Sequence, residues 1–426
     1  MRHFGSPAAA AAAADLMLAL AKLPDRLNWS STKWERYRGR DVIPLWIADM
    51  DFPTAPAIRA AVAAHVAHGN FGYMSPPREL AGLMVDEHRR RYGWEIDPGW
   101  IVWLPGLVLG INLSVKTCCA PAEQAVSFSP IYPPFLSAPG VQGRGLIDLP
   151  LLASGPGGTE FEVDFEGLER AVAAAAAAGR PARLLLLCHP HNPIGRLFRR
   201  AELDQLAALC ERHDLYVCSD EVHCDLILDG VTPHVPFAKI LAERSPALLR
   251  RSITLHGPGK TYNIAGLGIA WAIIPDADLR SRFRAAMQRL VPDPCCFGFS
   301  ALRAALRDGE PWRREMLATL RANRDLVSVA LDRVGLAHTH PEVSYLTWID
   351  ARPIAARVGD PALWFERHGV GLSDGAEFGR PGYLRLNFAA PAALLTEALT
   401  RMQRALDGLD RSASAGNAGQ SLQLAV

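Results

Sequence analysis

Lysine is scarce in this chain: only five of its 45 basic residues are lysines, and 44 acidic residues bring the formal net charge to +1. So balanced a surface offers no electrostatic attraction to nucleic acid or to a membrane. Although 49% of the residues are hydrophobic, no uninterrupted apolar stretch approaches the length of a membrane span. Zinc-type Cys-x-x-Cys spacing is missing as well. The eight cysteines fall as Cys118-Cys119, Cys295-Cys296 and the single residues Cys188, Cys210, Cys218 and Cys224. They read as small buried hydrophobes in a reducing, cytoplasmic setting. No metal site is expected: His189, His191, His223 and Cys224 lack the spacing of one, and the first two read as loop hydrogen-bonders. There is no internal repeat and no helix-turn-helix.

With 426 residues the chain can build two lobes around a large core. Its first 26 residues read as an extension. Met1 to Leu23 is alanine-rich, but Asp15 and Lys22 interrupt it and no clean cleavage site follows, which speaks against a secretory signal. Residues 411–426, rich in Ser, Ala, Gly, Asn and Gln, read as a disordered tail. The run Ala171 to Ala178 reads as helix.

One of the rare lysines, Lys260, follows the short apolar run Ser252–His256 and sits in the glycine-rich loop Gly257-Pro-Gly-Lys260-Thr-Tyr-Asn263. It could be a surface charge, a phosphate ligand, or an amine held for Schiff-base chemistry. A phosphate-binding P-loop needs a leading glycine where this chain has Thr254. Two other segments share the grammar of strand feeding loop. Ala182–Cys188 runs into His189-Pro-His-Asn192-Pro-Ile-Gly195. After a helical stretch from Arg200 to His213, Leu215–Cys218 runs into Ser219-Asp220-Glu221. This spacing predicts a parallel βαβ unit with a right-handed crossover. Asn192, Asp220 and Lys260 then lie just past strand C-termini, the edge where open α/β sheets bind ligands. An amide, a carboxylate and a lysine together suit pyridoxal 5'-phosphate. The lysine meets the aldehyde, the amide the phenolate oxygen, and the carboxylate keeps the pyridine nitrogen protonated. Taken singly, Asn192-Pro193 is a common turn dipeptide and Asp220 could cap a loop.

The set Asn192-Pro-x-Gly195, Asp220-Glu-Val-His223, Lys260-Thr-Tyr-Asn263 and Arg385-Leu-Asn-Phe388 resembles the fold-type I pyridoxal-phosphate enzymes of the class I/II aminotransferase superfamily. Trp46-Ile-Ala-Asp-Met-Asp-Phe52 narrows the resemblance to the cystathionine β-lyase branch. The similarity runs from about residue 27 to about residue 408. It implies a large, mostly parallel seven-stranded sheet domain with helices on both faces (residues 61–300) and a smaller α/β domain (residues 27–60 and 301–410). It also implies that Lys260 carries the cofactor as a Schiff base and shuttles protons. Asp220 would pair with the ring nitrogen, Asn192 and His223 would stand at the phenolate oxygen, and Tyr132 would stack on the ring. Arg385 would clamp the substrate carboxylate beside Ala48. Gly106, Leu107 and Val108 would cradle the phosphate, and Tyr73 would reach the phosphate of a second subunit in a homodimer with shared active sites. Gly257 and Gly259 stand where relatives carry serines, so backbone N–H groups would replace hydroxyls there.

The expected activity is β-elimination from cystathionine or another cysteine S-conjugate, giving a thiol, pyruvate and ammonia. A second reading is an aminotransferase or other biosynthetic enzyme using the same cofactor on an amino acid. A third is a non-catalytic regulator that keeps the fold. Trp46, Phe71 and Tyr345 are candidates for the mouth of the site, or equally for core packing.

Overall fold

The computed structural model describes residues 20–423 apart from 23, 27 and 231. The expectation for the extreme N-terminus therefore lies largely outside the described residues; within it, Leu20 is buried in the main apolar cluster.

The run Ala182–Cys188 is a strand at the heart of a seven-stranded sheet. Across that sheet the strands lie in the order Ile101–Leu104, Ala270–Ile273, Ser252–His256, Tyr216–Asp220, Ala182–Cys188, Gln124–Ser127 and Gly145–Asp148. All neighbours pair in parallel except Ala270–Ile273, which is antiparallel to both of its partners. The continuous apolar run in the central strands reflects burial on both faces. Successive side chains point to opposite sides of a strand, and they divide accordingly. Leu185, Leu187 and Val217 join one cluster with Leu203, Leu206 and Ile240 from helices on one side. Leu184, Leu186 and Cys218 join another with Ile111, Val115 and Phe283 from helices on the other side.

The crossover helix Arg200–Arg212 buries Leu203, Leu206, Ala207, Leu209 and Cys210. Its start is fixed where Glu202 Oε2 accepts from the Arg199 N–H at 2.8 Å. The alanine run forms part of the helix Phe165–Ala177, with Asp164 accepting the Gly167 N–H at its start.

A three-stranded antiparallel sheet holds Leu346–Asp350, Tyr383–Asn387 and Ser373–Asp374 in the order first, second, third. The largest apolar cluster gathers Ile43, Leu45, Met50 and Phe52 from near the start of the chain. It joins them to Trp312, Leu320, Leu346, Leu384 and Leu399 from the last third. Distant segments thus share one core.

Two expectations need correction. The final helix runs Ala392–Gln423, so the backbone of residues 411–423 is helical where composition suggests a disordered tail. The helix is already nucleated and anchored by buried Leu395, Ala398, Leu399 and Met402. Extending it through alanine, glutamine and leucine adds one backbone bond per residue without a new nucleus. The cysteines are not all buried either: Cys295 is exposed and Cys296 intermediate, whereas the other six are buried.

Packing of the helix Leu107–Cys118 on the sheet leaves no room at Gly110, where an added Cβ would stand 2.8 Å from Leu255 Cδ2. Gly110→Val is expected to destabilise the protein by about 1–3 kcal/mol through overpacking, read as a lower denaturation midpoint with an unchanged slope.

Candidate active site

The parallel strands bring three loops to one edge, because Cys188, Asp220 and Leu255 are neighbours in register. Asn192 lies beyond the first strand, Asp220 ends the second, and Lys260 follows the third. Asn192 and Asp220 are nearly fully buried and Lys260 is partly buried.

The amine of Lys260 donates to the Ala48 carbonyl at 2.6 Å. Burial lowers its pKa to about 8, with the nearby Arg385 charge acting in the same direction and Asp49 and Asp220 opposing. Burial raises the Asp220 carboxyl to about 7, against the Val222 N–H that donates to it at 3.2 Å and the Lys260 charge. The Asp220 carboxylate therefore favours a cationic partner supplied from within the site. Burial also takes His223 down to about 3, assisted by the charges of Lys260 and Arg385, so its imidazole is neutral. Its Nδ1 lies 3.0 Å from Ser344 Oγ. Tyr132 stands at the start of the helix Pro133–Val141; burial, then the Asp220 charge, raises its hydroxyl pKa.

Arg385 lies in the Tyr383–Asn387 strand and is almost wholly buried. It donates to Asn192 Oδ1 at 3.0 Å, the Trp46 carbonyl at 2.8 Å and Ser373 Oγ at 3.3 Å, with its guanidinium 4.5 Å from the Phe378 ring centroid. Its Nε has no hydrogen-bond partner. A buried guanidinium with a spare donor and no carboxylate bonded to it is a ready seat for an anion.

The segment between these groups carries the sequence expectations for Trp46 and Ala48. Its role emerges from its carbonyls. Trp46 O accepts from Arg385 and Ser373, Ile47 O from Asn387, Ala48 O from Lys260 and Tyr345, and Asp49 O from Asn387 and Lys33. Met50 O accepts from Asn263 and Arg26. Asn263 reaches this position with φ +54, a left-handed conformation that asparagine tolerates better than most residues.

The Ile101–Leu104 strand leads through Gly106 into the helix Leu107–Cys118 at the same sheet edge. A Cβ on Gly106 would meet nothing within 4 Å, so there is space before the unpaired N–H groups of Leu107 and Val108, a setting suited to an anion. Gly257 and Gly259 are more confined. A Cβ on Gly257 would lie 3.3 Å from Ala270 Cβ, and one on Gly259 would lie 3.2 Å from Ala265 Cα. The serines expected there would press on Ala265 and Ala270.

Tyr73 is fully exposed and outside this assembly of side chains. Phe71 is exposed too, packing with His65 and Phe297, whereas Trp46 and Tyr345 do bond within the site. His189 and His191 are buried, bonding to backbone carbonyls of Val235, Cys188 and Pro130. Among the described residues, Cys224, Asp225 and His256 form a group with metal-ligand atoms within 4.8 Å of one another. The Tyr92 hydroxyl bonds to Asp225 at 2.5 Å, and Cys224 Sγ lies 2.9 Å from His256 Nε2, so these polar atoms already satisfy one another.

Sequence reasoning missed Asp49, Ser344, Ser373, Phe378 and Asn387 as parts of this architecture. Asp49, Phe378 and Asn387 carried a signal, by falling within Trp46–Phe52, Glu377-Phe-Gly379 and Arg385-Leu-Asn-Phe388.

Residues 40–402 match the family described as aminotransferase class I and II. The chain is 33% identical to cystathionine β-lyase PatB of Bacillus subtilis (strain 168), over 90% of this chain and 99% of that protein. The crystal structure of OvoB superposes with a TM-score of 0.85 at 42% identity, covering 91% of this chain and 98% of that one. Cystalysin from Treponema denticola, whose crystal structure contains a pyridoxal 5'-phosphate cofactor, gives 0.84 at 27% identity, covering 92% and 99%.

A pKa near 8 for Lys260 has a kinetic consequence, since only the neutral amine attacks a carbonyl. In cofactor-free protein, the rate of imine formation at Lys260 with a small aldehyde should rise with pH and level off above about pH 8. An ordinary lysine would level off above about 10.4. A profile still climbing steeply at pH 10 would contradict the placement of this amine.

Proposed function

The chain belongs to the class I and II aminotransferase family, and from that membership we propose that it is a pyridoxal 5'-phosphate-dependent carbon–sulfur β-lyase of the cystathionine β-lyase branch. The observation that carries this reading is the convergence of Lys260, Asp220, Asn192 and Arg385 at one sheet edge, with Lys260 and Arg385 both bonded to the Trp46–Met50 segment and Arg385 to Asn192.

The side chains fit the cofactor group by group. Lys260 supplies an amine for its aldehyde, and Asp220 a buried carboxylate for its ring N–H. Asn192 and neutral His223 would flank its phenolate oxygen, Tyr132 would offer a ring face, and the helix start at Gly106–Val108 would receive its phosphate. The glycines at 257 and 259 leave only backbone donors on the other side. When bound, the cofactor acts as an electron sink that acidifies the Cα–H bond of an attached amino acid. Arg385 holds the substrate carboxylate, with the Ala48 backbone alongside, and so fixes which Cα bond faces the reactive plane. Lys260, once released, is an amine poised to take the α-proton near neutral pH, as a general base should be. Loss of a thiolate from the β-carbon then yields a thiol, and the remaining three-carbon fragment hydrolyses to pyruvate and ammonia.

Elimination is favoured over transamination by the Trp46–Phe52 segment and by the similarity to cystathionine β-lyase PatB. The reading includes a small lobe of residues 27–60 and 301–410 against a large lobe of 61–300, supported by the distribution of apolar clusters. It also includes a homodimer in which the exposed Tyr73 reaches a partner's site, and a cytoplasmic location.

Purified holoprotein should release pyruvate and free thiol from L-cystathionine, and Lys260→Ala should abolish both. Pyridoxamine phosphate formed in stoichiometric amount without pyruvate would point to an aminotransferase instead. Arg385→Lys is expected to lower kcat/KM by about 30-fold or more, corresponding to roughly 2 kcal/mol for a buried hydrogen-bonded charge. Folding and cofactor absorbance should be retained.

A further inference from the structure

Beside Lys260 the protein opens into a cleft of about 700 Å³, walled by Arg26, Trp29, Ala48, Asp49, Lys260 and Ala265. Its charges are unevenly committed. Asp51, next but one in sequence to Asp49, is fully buried and paired at both oxygens, with Lys33 at 2.7 Å and Arg26 at 3.1 Å. Arg26 is spent within the protein, on Asp49 Oδ2 at 2.6 Å, Asp51, Ser31 and the Met50 carbonyl. Lys33 bonds to Asp51 and the Asp49 carbonyl. Asp49 differs from its neighbours. Its side chain is 33% exposed, its Oδ2 meets Arg26, and its Oδ1 has no hydrogen-bond partner, the nearest cation being Lys33 at 3.8 Å. A desolvated, unbonded carboxylate oxygen is costly unless a ligand completes it. The terminal torsion of an aspartate is broad and two-fold, so a modest turn presents that oxygen to the cleft.

We propose that Asp49 and Trp29 form the subsite for the distal end of the substrate, and that this subsite selects a positively charged nitrogen on the S-substituent. The proposal rests on the reading above, in which Arg385 takes the α-carboxylate and Lys260 yields to the α-amine. With the carboxylate directed toward Arg385, the side chain extends along Ala48 to Asp49. The Asp49 carboxylate supplies the charge-assisted acceptor. The indole of Trp29, 81% exposed at the rim, supplies a face for a cation. Arg26 and Lys33 are both committed, so the Asp49 end of the cleft presents no spare cation to an anionic substituent.

The test uses holoenzyme and follows bound-cofactor absorbance during titration with three S-alkyl conjugates. These are S-(3-aminopropyl)-L-cysteine, the near-isosteric neutral S-butyl-L-cysteine, and S-(3-carboxypropyl)-L-cysteine. The aminopropyl conjugate is expected to bind about tenfold more tightly than the butyl one, and the carboxypropyl conjugate most weakly, as one charge-assisted bond gained or lost would give. Asp49→Asn should bring the aminopropyl and butyl affinities within about twofold of each other. Trp29→Ala, at an exposed position, should weaken the aminopropyl conjugate more than the butyl one. Equal binding of the aminopropyl and butyl conjugates by the unaltered enzyme overturns the proposal, even if Asp49→Asn fails to fold. A preference that survives Asp49→Asn overturns it too. Binding with the expected preference but without pyruvate release sinks the lyase reading and keeps the subsite; no absorbance response to any conjugate sinks both.

Discussion

The site depends on a short stretch of backbone that belongs to neither of the main sheets. From Trp46 to Met50 every carbonyl accepts a hydrogen bond from a side chain, and the donors come from Arg26, Lys33, Lys260, Asn263, Tyr345, Ser373, Arg385 and Asn387. A segment without ladder partners must still satisfy its polar groups when buried. Here the donors that satisfy it include the lysine and arginine on which the proposed chemistry turns. Asn387 bridges two of the carbonyls, at 2.7 Å each, from the residue two beyond Arg385 in the same strand. Lys260 and Arg385 are therefore positioned against a common ruler, two residues apart.

Burial sets the electrostatics around that ruler. It shifts Lys260, Arg385, His223 and Asp220 each toward the neutral form. Such groups sit uneasily by themselves and well with partners of opposite charge. In the proposed function, an anionic phenolate, a protonated ring nitrogen and a substrate carboxylate would be such partners. Clustered perturbed groups of this kind mark sites of function more often than of stability.

Much of the large lobe was legible in the sequence because its signals are local. Apolar runs of strand length ending in Pro/Gly or acidic turns place Asn192, Asp220 and Lys260 on one edge with no knowledge of distant contacts. The carbonyl track was not legible. Ala48 and Lys260 are 212 positions apart, and Trp46 and Arg385 are 339 apart, and a backbone acceptor leaves no mark on residue type. Asp49 was quoted within a motif, yet only its geometry sets it apart from fully paired Asp51. The tail misled for the opposite reason. Its composition was read by itself, whereas its backbone continues a helix already anchored by upstream leucines.

The single antiparallel strand of the large sheet, Ala270–Ile273, sets the mechanics of the lysine. Elsewhere in this sheet, consecutive parallel strands are joined by long excursions through helices. The chain leaving Ser252–His256 instead turns back at once to pair with its own predecessor, so residues 257–269 are tethered at both ends to adjacent strands. Lys260 rides on that short return. The other walls of the cleft come mostly from residues 24–49, outside this sheet, so they can change while the amine stays where the sheet holds it, and substrate choice and lysine placement are separately adjustable in this architecture.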